Sequence, residues 1–287
     1  VEKALNLVNI LILYGRSLET MNNVSKERKK FINKIKRDKA IVLGTQILFL
    51  IGIIVLWEYL ANANIIDSFI TSKPSRIWTT LLNLQANNLE KHIWVTIYET
   101  VIGFFIGTTL GVFIAIVLWW SNFLSRVFEP FLVILNSLPK VALGPIIIIW
   151  VGAGTPAIIV MAIAISLVVT ILENLHGFTK TDQEIIKMAK TFNATKLQLL
   201  TKIVLPANIS TFINSLKVNI GLSLVGVISG EFLVSKAGLG YLIVYGGQVF
   251  KLDLVMASII ILGIVAAIMY LCVAILEKYI VSSKKFR

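Results

Sequence analysis

Six apolar runs, each long enough to cross the hydrocarbon core of a bilayer as a helix, dominate this chain. They fall at about 40–61, 93–119, 127–152, 156–175, 207–230 and 252–280, and one crossing needs roughly 20 apolar residues. Inside lipid every backbone amide must find a partner within the protein, which makes the helix the spanning form for runs of this length. The expected fold is therefore an all-α membrane protein with six transmembrane helices. With 57% hydrophobic residues in 287, the chain is more apolar than an ordinary soluble domain.

The net charge of +12 invites comparison with nucleic-acid binders, but its distribution points elsewhere. Ten basic residues, Lys3 to Lys39, precede the first span. Lys180, Lys187, Lys190, Lys196 and Lys202 lie between spans four and five. Arg126 separates spans two and three, and Lys278, Lys284, Lys285 and Arg287 close the chain. The opposite side holds Lys73, Arg76, Lys91, Lys236 and Lys251, so the split is twenty against five. By the positive-inside rule both termini are cytoplasmic. The basic segment 1–39 then faces anionic lipid, not nucleic acid.

The apolar piece Leu5–Leu13 is too short to span and lacks a small-residue cleavage site. Met21 is the expected native start, or else residues 1–20 form a loose surface helix. Residues 40–280 read as one six-helix domain, without internal repeats or a low-complexity linker, and 281–287 as a cytoplasmic tail. Cys272 lies within span six and reads as a small core residue.

Span one ends in Trp57, Glu58 and Tyr59, as at an outer interface. Pro74 is expected to start a short surface helix at Ser75, with Ile77, Leu81, Leu82 and Leu84 on it. In span two Gly103, Gly107, Gly111 and Ala115 recur every four residues, a stripe for close helix packing. Gly226 and Gly230 repeat the pattern in span five. A second-copy interface is the alternative use of such stripes. Glu99 continues the first stripe, about 7 residues and so roughly 10 Å from the outer end; it is expected to face protein. Trp119 and Trp120 read as interfacial anchors.

Span three carries Asn136-Ser-Leu-Pro-Lys-Val-Ala-Leu-Gly-Pro145. Pro139 and Pro145 each remove a backbone donor and are expected to break the helix at depth. Broken helices commonly border a transport path. Lys140, about 13 residues into the span and so roughly 20 Å along it, is part of that path, or the partner of a buried carboxylate, with Glu99 the first candidate, or a lysine that snorkels to the interface. Path candidates are thus Glu99, Pro139, Lys140, Glu231, Gly238 and Gly240. The last two sit in an outer loop or re-entrant segment, Lys236–Tyr241.

The segment 181–206 is polar, yet patterned as two short helices. Thr181-x-x-Glu184 and Thr195-x-x-Gln198 both match a capping box. Asn193 falls between them, where a left-handed residue would end the first helix. The apolar residues Ile185, Ile186, Met188, Ala189, Phe192, Leu197 and Leu200 predict a docking surface.

The chemistry of an enzyme is missing. There is no G-x-x-x-x-G-K-[ST] loop for ATP. His92 and His176 fall on opposite sides of the membrane, so they cannot share a metal, and no serine, cysteine or threonine has an adjacent base.

The loop resembles the cytoplasmic coupling loop of bacterial ABC importer permeases, E-A-A-x3-G-x9-I-x-L-P. Lys187-Met188-Ala189 stands at E-A-A, Asn193 at the glycine, and Ile203 with Leu205-Pro206 at the end. The spacing is kept in full, while Lys187 and Asn193 depart from it. Asn tolerates a left-handed position, and Glu184 offers an acidic charge one turn earlier. Gly103-Phe104, Leu138–Pro145, Trp150–Gly154, Glu231-Phe and Gly238–Tyr241 extend the resemblance to the nitrate/sulfonate/taurine-type permeases, a group that includes importers of thiamine-precursor pyrimidines. Members of that group more often carry a basic residue at the position of Glu99.

The resemblance implies a fold like that of type I ABC importer permeases, with a coupling-helix loop between spans four and five. It implies a dimer with the solute path at its interface, and an extracellular or periplasmic binding protein. It also implies cytoplasmic ATPase subunits that hold ATP and Mg2+, so this chain needs no cofactor. The coupling positions would be Glu184, Lys187, Met188, Ala189, Asn193, Ala194, Ile203, Leu205 and Pro206. The solute would be a sulfonate, taurine, nitrate, bicarbonate or a thiamine-precursor pyrimidine, and the location a bacterial plasma membrane. A self-sufficient secondary transporter is the alternative; it calls for inverted repeats and midplane carboxylates, for which Glu99 and Glu173 are the candidates. A membrane scaffold would not need broken helices.

Overall fold

The computed structural model describes the backbone of residues 2–83 and 88–284, and the side chains within 27–83 and 88–278. Leu84, Lys285 and Arg287, together with the side chains of residues 1–20 and of Lys284, therefore lie outside what is described. Two compact units divide the chain, 1–68 and 69–287.

The first unit is mainly one helix, α1, Glu2–Asn62. The sequence separates a basic segment from a span at residue 40, but the helix runs through, because no Gly or Pro stands between Arg16 and Leu43 to stop it. Its stretch Glu27–Asn62 is long and apolar enough to cross a membrane.

The single turn α2, Ser68–Thr71, begins at the last residue of the first unit, and α3, Pro74–Leu82, is the first helix wholly in the second. Pro74 takes the first turn of α3, as its fixed φ favours. The long helix α4 follows, Leu89–Trp120. Next come α5, Asn122–Ser137, a 3-10 turn, Lys140–Leu143, and α6, Gly144–Val151. Together α5 and the Lys140–Val151 segment make a sixth candidate span, bent by 91°. The break sits at Leu138-Pro139: Leu138 is extended, with φ −69° and ψ 140°, as a residue before proline prefers. Pro145 lies in the first turn of α6 and helps start that helix, so only one of the two prolines breaks the span.

Helix α7, Thr155–Thr179, leads into the loop helices α8, Gln183–Thr191, and α9, Lys196–Leu199. Chain 200–207 continues as a π turn, Leu200–Val204, and α10, Leu205–Ala207. Then come α11, Ile209–Val234, α12, Leu239–Gln248, and α13, Leu252–Lys284. The segment Lys236–Tyr241, expected to be a loop or a re-entrant element, thus leads into a ten-residue helix, α12, that starts at Leu239. No strand occurs among the described residues.

Helix α7 is the centre of the packing. An added Cβ at Gly103 would lie 2.6 Å from the Cβ of Ala162, at Gly107 2.5 Å from Ser166 Oγ, and at Gly111 2.6 Å from Thr170 Cβ. From the other side, one at Gly226 would lie 2.5 Å from Ala162 Cα, and one at Gly230 3.0 Å from Ile158 Cα. Both glycine stripes therefore serve packing within the chain, α4 and α11 closing on α7. Cross-bonds between polar groups reinforce that contact: Asn219 Nδ2 donates to Thr170 Oγ1 at 2.5 Å, and Asn174 Nδ2 to Ser215 Oγ at 3.2 Å. Outward faces stay apolar as well, with Phe105, Phe113, Ile149 and Trp150 exposed, as in helices that meet lipid or another membrane chain. Cys272 is on such a face and is exposed, not in the core; α13 packs through residues such as Ala257, Ile261 and Val265 instead.

Candidate functional site

Two places gather the polar side chains that the sequence singled out. The first is the loop 181–206. Its cap is Asp182, not Thr181: Asp182 Oδ1 accepts from the Glu184 amide at 2.8 Å. A carboxylate one residue nearer the helix reaches its free amides better than the Thr181 hydroxyl can. Helix α8 ends in a Schellman motif. The Ala194 amide donates to Ala189 O at 3.1 Å and the Asn193 amide to Lys190 O at 3.0 Å, with Asn193 left-handed at φ 56°. The expected capping box at Thr195 and Gln198 is present in both directions, which starts α9.

The loop is tied down at three points. Thr181 Oγ1 accepts from Asn208 Nδ2 at 2.7 Å, so the two ends of the loop meet. Asn208 also donates to Val204 O at 2.9 Å. Lys196 Nζ donates to Trp120 O at 2.5 Å and sits 5.8 Å above that ring. Ile186, Leu199, Leu200 and Val204 are the buried pegs. Beneath the loop a cavity of about 560 Å³ remains, with Arg126, Lys190 and Lys196 in its wall. Asn208 and Lys196 are partners that sequence patterns did not reveal, because their contacts lie 27 and 76 residues away.

What the loop leaves uncovered is apolar. Ile185 is 44% exposed, Met188 57% and Phe192 79%, and their spacing puts them on one face of α8. Glu184, Lys187 and Pro206 are exposed too, while Ala189, Ala194, Ile203 and Leu205 are half-buried.

The second place joins α4, α11 and the start of α12. Three consecutive backbone amides at the N-terminus of α12 are each capped by a side chain from elsewhere. Gly238 N donates to His92 Nδ1 at 2.9 Å, Leu239 N to Thr96 Oγ1 at 2.8 Å, and Gly240 N to Glu231 Oε2 at 2.5 Å. Thr96 in turn donates to Glu231 Oε1 at 2.7 Å. Gly238, at φ 119°, is in a region side chains rarely enter, and a Cβ there would collide with the Glu231 carboxylate. The structure thus brings Glu231, Gly238 and Gly240 together, as an anchor between helices. His92 and Thr96 belong to it as well; spacing of 92, 96 and 99 on one face of α4 was the available signal.

Glu99 lies in the same place, fully buried, with Glu231 and Thr155 beside it. Neither of its oxygens makes a hydrogen bond among the described residues. The expected partner does not reach it. Lys140 Nζ donates to Asn136 O at 3.1 Å and to Asn136 Oδ1 at 3.2 Å, within its own bent span. The turn at Pro139 curls the lysine back over α5. Ion pairs form elsewhere: Arg76 with Asp253 at 2.7 Å, joining α3 to α13, and Lys217 with Glu277, joining α11 to α13.

The sequence family of inner membrane components of binding-protein-dependent transport systems matches residues 107–285. A probable ABC transporter permease protein of Haemophilus influenzae is 30% identical over 78% of this chain and 91% of its own length. The formylaminopyrimidine transport permease protein ThiX of Halalkalibacterium halodurans is 25% identical over 68% of this chain and 77% of its own length. A solved chain of the MetNI methionine ABC transporter, in an inward-facing conformation, aligns with a TM-score of 0.62 at 16% identity. The alignment covers 69% of this chain and 98% of that one, so the two share a fold.

Proposed function

The chain belongs to the family of binding-protein-dependent transport system inner membrane components, and from that premise we propose that its loop 181–206 is the surface through which a separate ATPase drives it. It is the permease subunit of an ABC importer, and family membership sets the self-sufficient secondary transporter aside.

The observation that carries the coupling role is the exposed apolar face of α8. Ile185, Met188 and Phe192 are presented by a short helix that is capped at both ends. Leaving three such side chains in water costs about 1.5–3 kcal/mol each relative to burial. A docked ATPase would recover that. The Asn208–Thr181 bond and the Lys196–Trp120 contact would carry displacement of α8 into α11 and α4. ATP and Mg2+ would be held by the ATPase, and this chain would carry no cofactor. The working form would be a dimer with both termini cytoplasmic, receiving solute from an external binding protein. The formylaminopyrimidine relative supports a thiamine-precursor pyrimidine as one solute; sulfonate, taurine, nitrate and bicarbonate complete the class.

Disulfide crosslinking tests the docking. In a Cys272→Ala background, Met188→Cys is expected to crosslink to single cysteines on the cognate ATPase, whereas Trp94→Cys, on the exposed outer part of α4, is not. A Met188→Cys variant that never crosslinks in an assembled complex would rule out this face.

A further inference from the structure

We propose that Glu99 and Glu231 bind one proton as a pair, carried on Glu99, making a buried acid pair beneath the N-terminus of α12. Glu99 is fully buried, Glu231 is 1% exposed, and the two carboxyl groups are neighbours within the spanning helices. Two ionised carboxylates side by side out of water would carry a cost that no protein group there offsets. Among the described residues the candidate counter-charges are bonded elsewhere or exposed. His92 accepts from Gly238 N through Nδ1, so that nitrogen carries no proton and the ring is neutral. Lys140 is bonded to Asn136, Arg76 to Asp253, and Lys91 and Lys236 are exposed. From α12 only Tyr241 and Tyr245 approach, stacked in series on His92; α7 contributes Thr155.

No cation of the described residues reaches the pair, and the geometry favours a proton over a metal ion. Both Glu231 oxygens already accept a hydrogen, from Thr96 and from Gly240 N. A metal ion would face those donors. No cluster of three His, Cys, Asp or Glu side chains that could hold a metal exists among the described residues. Neither Glu99 oxygen accepts a hydrogen bond by geometry, although Thr155 and Glu231 stand beside it, so it takes the proton as a neutral acid. Glu231 keeps its charge for the α12 amides. Two carboxyl groups divided in this way by their surroundings are a known physical arrangement. Loss of the proton would set two like charges against each other under the amides that tie α12 to α4 and α11.

The full chain in lipid nanodiscs, labelled with 13C-carboxyl glutamate, can be examined by infrared spectroscopy. At pH 7 a protonated-carboxyl C=O band that shifts with the label is expected. It should be lost in Glu99→Gln and shifted, not lost, in Glu231→Gln. The thermal midpoint of the wild type should fall as pH rises above the ordinary glutamate range, since the folded chain then holds a proton the unfolded chain has released. Glu99→Gln should flatten that fall. Absence of the band from the wild type, its survival in Glu99→Gln, or a midpoint that rises with Na+ or K+ at fixed pH would overturn the proposal. Should the variants fail to fold, the wild-type spectrum and its response to those cations decide alone.

Discussion

The side-chain amide of Asn208 donates to the hydroxyl of Thr181 across 27 residues of sequence, closing the base of the loop 181–206 at 2.7 Å. The same amide holds Val204 O, so one buried residue fixes both the loop entrance and the π turn before α11. Without this clamp, motion of α8 could dissipate in the loop. Asn208→Ala removes both bonds and leaves buried acceptors, a loss of about 1–3 kcal/mol. The expected outcome is a complex that assembles and hydrolyses ATP, but moves severalfold less solute per ATP. Paired measurements of uptake and hydrolysis in vesicles check this.

Asn193 makes the turn that separates the two loop helices, at φ 56°. Asn193→Gly should be tolerated or slightly stabilising there. Asn193→Val should cost on the order of 1–2 kcal/mol, because a β-branched residue resists the left-handed region. ATPase affinity of the two variants, measured by pull-down titration, should separate them by about tenfold, as 1.4 kcal/mol corresponds to one decade.

The glycine stripe makes a prediction about folding. At Gly107 even a methyl group would lie 2.5 Å from Ser166 Oγ. Gly107→Ala should lower the thermal midpoint of the purified chain, and Gly107→Leu should prevent stable folding. Gly221, where nothing lies within 4 Å of an added Cβ, is the control: Gly221→Ala should leave the midpoint unchanged or raised.

Glu99 and Lys140 have different neighbours, so their losses should add. Glu99→Gln and Lys140→Gln combined are expected to change stability by the sum of the single changes, within about 0.3–0.5 kcal/mol. A double variant more stable than that sum would restore a direct pairing.

The six spans and the capped loop were legible in the sequence because each rests on local patterning. Apolar length marks a span, and Thr195 with Gln198 lies within one turn. The break at Pro139 was legible for the same reason. Contacts between distant segments were not. Glu99 and Lys140 looked like partners as two charges in neighbouring spans, but the direction of a side chain beyond a bent helix depends on the bend. Asp253 binds Ser72 Oγ at 2.5 Å and Arg76, and nothing near Asp253 in the sequence announces it. Helix α12 was hidden because its first two capped amides are held by His92 and Thr96, 146 and 143 residues away, and the third by Glu231 of the preceding helix, not by a residue of its own.

The most direct test of the coupling role is ATP hydrolysis by the permease reconstituted in lipid vesicles with its cognate ATPase and binding protein. A panel of sulfonates, taurine, nitrate, bicarbonate and pyrimidine precursors would be supplied in turn. Hydrolysis is expected to rise severalfold with one loaded binding protein, and Met188→Asp with Phe192→Ser should abolish that rise while the permease remains folded. An ATPase that binds and couples equally well to the doubly substituted permease would contradict the assignment of α8 as the coupling surface.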